Sequence, residues 1–182
     1  MYIDKVWSMP NSRTFKIEAI KDLILKYTNF LSAEKPVILD PFANESSIKQ
    51  YLGKYRYINN DIDTQYNTMF HLHAPEFLQK FKDESIDMVL IDMPYSPRQV
   101  SECYKKLGKT VTMRDTSNAF FSDVKKEVAR IVKPKGYVIS CCWNSNGVGK
   151  KLGFEQIEIL LIAHGSNHND TIVTVEQKVL HM

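Results

Sequence analysis

Apolar positions return along this chain in two rhythms. From Phe15 to Leu31 they fall at Phe15, Ile17, Ile20, Leu23, Ile24, Tyr27, Phe30 and Leu31. That spacing is close to 3.6 residues and predicts an amphipathic helix, with Thr14 placed to cap it. Shorter apolar runs follow at 36–40, 55–61, 86–92 and 137–143, and the first three close on acids, Asp40, Asp61 and Asp92. Such runs, bounded by polar or turn-forming residues, read as buried strands. A weaker run at 70–74 is a further candidate strand. Helices are expected over 46–53, over 75–81 with Pro75 in the first turn, and over 117–132, the last stopped by Lys133-Pro134-Lys135-Gly136. Residues 62–70 read as helical or irregular, and 144–152 as a polar turn with room for a short helix. Two closing runs, 154–163 and 171–178, flank a polar turn and predict an antiparallel hairpin. Between 96 and 117 only Val100, Tyr104, Leu107, Val111 and Met113 anchor a polar stretch, which reads as a long loop of the kind that carries function.

Strands alternating with helices predict an α/β fold, with a mainly parallel sheet covered on both faces. The 182 residues show no repeat, low-complexity stretch or linker, so a single domain over 1–182 is expected. Composition adds little: 43% hydrophobic and 25% charged residues are ordinary values for a globular chain. No apolar run approaches the roughly 18 residues of a membrane span. The start, Met1 to Trp7, lacks the basic-then-apolar layout of a signal peptide. A cytoplasmic protein with no membrane partner is the expectation. The net charge of +3 permits nucleic-acid binding without requiring it. Cys103, Cys141 and Cys142 form no CxxC pair, and the five histidines are scattered. No metal site is expected, and the thiols read as reduced and unreactive.

The three acids change the picture. In an open α/β sheet, ligands sit beyond the carboxyl ends of the strands. Asp40-Pro41-Phe42-Ala43 turns toward a predicted helix whose first N–H groups are unpaired and partly positive. Such a turn suits a nucleotide or an amino-acid carboxylate. Asp61 follows Asp40 by 21 residues and ends the next strand, a placement that suits ribose hydroxyls. Asp92-Met93-Pro94-Tyr95 sets acceptors, a stiff turn and an aromatic face side by side, as capture of a flat, hydrogen-bonding ring requires.

The first turn lacks G-x-G-x-x-G. Asp40-Pro41-Phe42-Ala43 instead resembles the Asp-Pro-Phe-Ala-Gly motif of the S-adenosylmethionine-dependent amino-methyltransferases that act on DNA. Asp92-Met93-Pro94-Tyr95 resembles their catalytic (Asn/Asp/Ser)-Pro-Pro-Tyr motif, in the same order and at a similar separation. Met9 to Phe15 looks like the segment that helps bind the methionine end of the cofactor. The resemblance covers nearly the whole chain. Ser96-Pro97-Arg98-Gln99 and Glu102-Cys103-Tyr104 look like the small forms found in phages and mobile elements. The resemblance implies a Rossmann-like methyltransferase fold with a mostly parallel seven-stranded sheet and an antiparallel C-terminal hairpin. It implies one S-adenosylmethionine-binding domain and no separate target-recognition domain.

The same resemblance implies roles. Pro10, Thr14, Asp40, Pro41, Phe42 and Ala43 would bound the cofactor pocket, with Asp40 near the methionine amino group. Asp61 would hold the ribose hydroxyls and Ile62 would pack on the adenine. His73 is the nearest polar residue where the family often has an acid for the adenine amine. Asp92 and the Met93 carbonyl would accept hydrogen bonds from the target amine, Pro94 would stiffen the turn, and Tyr95 would stack on a flipped base. Arg98, Lys105, Lys106, Lys109 and Arg114 would contact DNA phosphates. The acid at position 92 leans toward N6 of adenine over N4 of cytosine. RNA or another amine is an alternative substrate, and a catalytically silent cofactor-binding module is an alternative from a different class. The sequence departs from the family pattern at Asn44, often Gly, at Glu45, and at Met93, which replaces the first Pro.

Overall fold

The computed structural model describes residues 1–110, 112–113, 115–165 and 168–180. Seven strands form one sheet: β1 (Tyr2–Trp7), β2 (Val37–Asp40), β3 (Arg56–Asn59), β4 (Ile86–Ile91), β5 (Val132–Cys142), β6 (Phe154–Ala163) and β7 (Thr171–Lys178). Their order across the sheet is β1-β6-β7-β5-β4-β2-β3. β7 runs antiparallel to both β5 and β6, and every other pairing is parallel. The helices are α1 (Glu18–Thr28), α2 (Ala74–Leu78), α3 (Pro97–Lys106) and α4 (Asn118–Ile131).

β4 shows why the sheet lies inside. All six of its residues are buried, as expected for a central parallel strand covered on both faces. Met88 and Leu90 point to one side, into a cluster with Ile20 and Ile24 of α1. Val89 and Ile91 point to the other, against Phe77 and Leu78 of α2 and Val124 and Val128 of α4. Each such side chain contributes roughly 1.5–3 kcal/mol when fully buried.

Several elements differ from the sequence expectation, each for a local reason. Thr14 does not cap α1. It lies in a 3-10 turn, Thr14–Lys16, and extended Ile17 separates that turn from the helix. The helix expected over 46–53 shrinks to a 3-10 turn, Lys49–Tyr51. Asn44 and Ser46 adopt positive φ, and the Ser46 hydroxyl accepts from the Asn59 amide at 2.6 Å. Residues 70–74 do not form a strand. One bridge joins Phe70 to Asn60, and beyond it the Asn60 side chain takes over the pairing, accepting from the Leu72 N–H and donating to its carbonyl. Seven strands are present all the same, because β1 makes up the number. As an edge strand that is exposed except at partly buried Val6, β1 carries almost no burial pattern to read.

The stretch from 96 begins with a helix rather than a loop. Ser96 caps α3, accepting from the Gln99 N–H, and Pro97 takes the first turn. Lys133-Pro134-Lys135-Gly136 ends α4 without delaying the strand. β5 starts at Val132, opposite Ile86, and Tyr137 lies opposite Met88, so four residues of β5 stand against the single Asp87 and bulge from the ladder. Lys135 turns through φ 63. A Cβ on Gly136 would stand 2.8 Å from Val132 Cγ1, so only glycine fits that close approach.

Candidate active site

β2, β3 and β4 all end at one edge of the sheet, and a cleft of about 850 Å³ runs along it. Asp40 ends β2 but does not line that cleft. It is completely buried; the Tyr57 hydroxyl donates to Oδ2 at 2.7 Å and the Phe42 N–H to Oδ1 at 3.3 Å. Burial pushes its carboxyl up to about 7; the Tyr57 bond opposes the shift, while the charges of Asp92 and Asp61 add to it. Asp40 therefore shapes the turn from behind, and Pro41 and Phe42 reach the cleft in front. Ala43 backs them, donating its N–H to the Asn60 carbonyl at 2.9 Å.

Asn44 turns through φ 48, a left-handed conformation that asparagine tolerates better than most residues. This accounts for Asn where the resembling family has Gly. The turn aims the Asn44 N–H at Asp61 Oδ2 (2.8 Å), and the Asp63 N–H bonds Oδ1 (2.9 Å). Burial raises the Asp61 carboxyl above its ordinary range, and these two bonds oppose the shift. Each oxygen keeps a second acceptor site, and Asp61 and Ile62 border the cleft.

Asp92 follows β4. The Tyr95 hydroxyl donates to its Oδ1 at 2.9 Å, and the nearby Thr14 side chain also favours its charged form. Burial raises this carboxyl too, and Thr14 and Tyr95 oppose the shift. The Tyr95 N–H donates to Gln99 Oε1 at 2.6 Å, so α3 pins the turn from above. Met93 is buried in the cluster under α2 and α4. In place of a proline it anchors the turn by packing rather than by a fixed φ.

His73 lies in an aromatic corner, 5.3 Å from the Phe120 ring and 6.3 Å from Tyr104. Its Nε2 is 3.4 Å from Asp115 Oδ1. Pro10, Thr14, Phe42, Asp61, His73, Asp92, Pro94 and Tyr95 thus share one cleft. The cations do not gather with them. Arg98 is exposed and paired with Glu102 at 2.8 Å, Lys105 and Lys109 lie off the cleft, and Lys106 borders it. Arg114 lies outside the described residues.

The sequence reading missed several lining residues: Asn60, Tyr66, Gln99, Tyr104, Phe120, Trp143, His164 and Asn169. Two had a signal. Asn60 is polar at a strand end and nearly fully buried, and Trp143 closes an apolar run just as Asp92 does. The others come from helices and turns that no local pattern links to the edge. With Asp61, Asp63, Asp92 and Glu102 against Lys106, the cleft is acidic. It suits a ligand carrying positive charge better than a free polyphosphate. Among the described residues no cluster could hold a metal ion, and no helix is long and apolar enough to cross a membrane.

No protein-family model matches the sequence, and no curated protein matches it. Solved structures do. A SAM-dependent methyltransferase from Methanosarcina mazei is 15% identical with TM-score 0.58, covering 85% of this chain and 98% of its own. The N-methyltransferase NodS from Bradyrhizobium japonicum is 10% identical with TM-score 0.60, covering 94% and 100%. The Burkholderia thailandensis 1,6-didemethyltoxoflavin-N1-methyltransferase, solved with S-adenosylhomocysteine, is 10% identical with TM-score 0.54, covering 95% and 93%. The fold is that of the Rossmann-like methyltransferases. In this methyltransferase fold the cleft occupies the carboxyl edge of the parallel strands, where such sheets bind ligands. At these identities the likeness carries the fold and leaves the substrate open.

Proposed function

We propose that the chain transfers a methyl group from S-adenosylmethionine to an exocyclic amine of a DNA base, with N6 of adenine as the target. The observation that carries this reading is the union of two half-sites in one cleft. One half is Phe42, Asp61 and Ile62; the other is the Asp92-Met93-Pro94-Tyr95 turn. A volume of about 850 Å³ is ample for a cofactor and a planar base together, since ligand pockets span roughly 300–1,000 Å³.

The residues fit the cofactor. Its sulfonium and ammonium charges match the acidic lining, and Asp61 retains free acceptor sites for ribose hydroxyls. When bound, S-adenosylmethionine supplies an electrophilic methyl carbon. The chain's own residues do the rest. Asp92 and the Met93 carbonyl accept the two amine hydrogens, which turns the nitrogen lone pair out of conjugation and toward the cofactor side of the cleft. Asp92, with its carboxyl raised by burial, is suited to take the proton that the nitrogen sheds. No cysteine or metal is needed, and positioning supplies most of the acceleration. A base in duplex DNA must first leave its stack, at a cost of a few kcal/mol.

A second reading, methylation of a small-molecule amine, is favoured by one observation: of the four described candidate cations, only Lys106 borders the cleft. One experiment separates the two. The protein is incubated with labelled S-adenosylmethionine and unmethylated duplex DNA, single-stranded DNA or RNA, and the products are digested to nucleosides. N6-methyladenine from DNA, lost in Asp92→Ala, is the expected result. Label in none of the DNA samples, with cofactor binding demonstrated, overturns the DNA reading.

A further inference from the structure

Tyr95 is held from several sides. Its hydroxyl donates to Asp92 and its N–H to Gln99, and its ring packs on the core cluster that contains α1. Trp143 stands directly beyond β5, the neighbour of β4. Ile91 lies opposite Ser140, so Trp143 is level with the Pro94-Tyr95 turn. The two rings meet edge to face, with centroids 5.5 Å apart and planes at 71°. Trp143 is 40% exposed and borders the cleft. The indole therefore presents the freer aromatic face, while the phenol is committed to the core and to Asp92.

We propose that Trp143 is the platform on which the amine-bearing ring stacks, and that Tyr95 is a positioning residue that aims the Asp92 carboxylate. This rests on the base-amine reading above and moves the stacking role from Tyr95 to Trp143. The division of labour is physical. Stacking needs an open π face. Aiming an acceptor at a developing positive nitrogen needs a carboxylate with a fixed rotamer, and the Tyr95 hydroxyl supplies that restraint at 2.9 Å.

The sequence holds two tryptophans, so Trp7→Phe leaves Trp143 as the sole indole emitter. With S-adenosylhomocysteine present, single-stranded oligodeoxyadenylate should quench that emission saturably. An abasic oligomer of the same length, binding through phosphates alone, should not. In steady-state transfer, Trp143→Ala should raise KM for the nucleic acid about tenfold with kcat changed less than threefold. That tenfold is about 1.4 kcal/mol, within the range of one base–aromatic stack. Trp143→Phe should restore most of the loss. Tyr95→Phe should lower kcat with little change in KM, the split expected of a residue acting through Asp92. Oligodeoxyadenylate that binds by anisotropy without altering the emission overturns the Trp143 assignment and leaves the base-amine reading standing. If neither oligomer binds while S-adenosylhomocysteine does, the DNA reading fails and this inference with it.

Discussion

Burial of Asp40 makes stability depend on pH in an unusual direction. Its carboxyl is raised from an ordinary 3.8 to about 7, with desolvation as the largest cause. A carboxyl raised in the folded state binds more protons there than in the unfolded chain, so stability is highest at low pH and falls as pH rises through the folded value. The full shift, at 1.36 kcal/mol per unit, corresponds to about 4 kcal/mol. Between pH 5 and pH 8 the loss from this group alone is about 2.5 kcal/mol by the same linkage. Asp61, Asp92 and Glu176 are raised as well and tilt the curve in the same sense, so the informative quantity is a difference between variants. Asp40→Asn keeps a carbonyl to accept from the Tyr57 hydroxyl and removes the titration. Urea denaturation of both proteins at half-unit steps from pH 5 to 8 should show Asp40→Asn gaining on the wild type by about 2.5 kcal/mol across the range. Most of that gain should come below pH 7. Parallel curves would refute the reasoning, because they would mean that Asp40 titrates alike in the folded and unfolded chains.

The remaining predictions address the site and its supports. Asp92→Asn should lower transfer about 10- to 100-fold, the value of a hydrogen bond to a charged group, with cofactor affinity by calorimetry within about threefold of wild type; loss of cofactor binding would contradict the role given to Asp92. Gly147 turns through φ 52, and a Cβ there would collide with the Glu176 carboxylate, which accepts from the Val148 and Gly149 N–H groups at 2.5 and 2.9 Å. Gly147→Ala should therefore destabilise by about 1–3 kcal/mol in urea, and an unchanged midpoint would show that the loop yields freely. Lys106→Ala should reduce the salt slope of DNA binding by nearly one unit, whereas Arg98→Ala, whose guanidinium is already paired with Glu102, should leave the slope unchanged; equal effects would mean that the rim is not oriented as described.

Much of the frame was legible because it rests on local periodicity. The buried strands at 86–91, 154–163 and 171–178 and the helix at 118–131 repeat apolar residues at spacings that only one kind of element satisfies. β1 was illegible for the opposite reason: a solvated edge strand buries too little to leave a pattern. The run at 70–74 failed through a side chain, since Asn60 took over the pairing that a strand would have made. α3 was hidden because its buried positions, Val100 and Tyr104, are only one turn apart, and the remaining surface of the helix is polar.

The acids tell how far the candidate site itself could be read. Asp40, Asp61 and Asp92 end successive apolar runs, and that shared position was sufficient to bring them to one edge. Their separate tasks depend on partners that the chain order does not reveal. Tyr57 and a buried pocket withdraw Asp40 behind the turn. Two backbone N–H groups orient Asp61 and leave it open to the cleft. The Tyr95 hydroxyl fixes Asp92. Three carboxyls raised by burial at one edge are costly for folding, and a single acid would suffice to shape a turn. The arrangement becomes favourable once a cation enters, because positive charge in the cleft offsets part of the desolvation that chiefly raises Asp40, together with the smaller contributions of the Asp92 and Asp61 charges. Stability lost in the free protein at neutral pH is thereby returned as affinity for a positively charged ligand. This gives a physical reason for a positively charged ligand, rather than a polyphosphate, to suit this edge, and the sulfonium of the methyl-transfer reading proposed above meets that requirement.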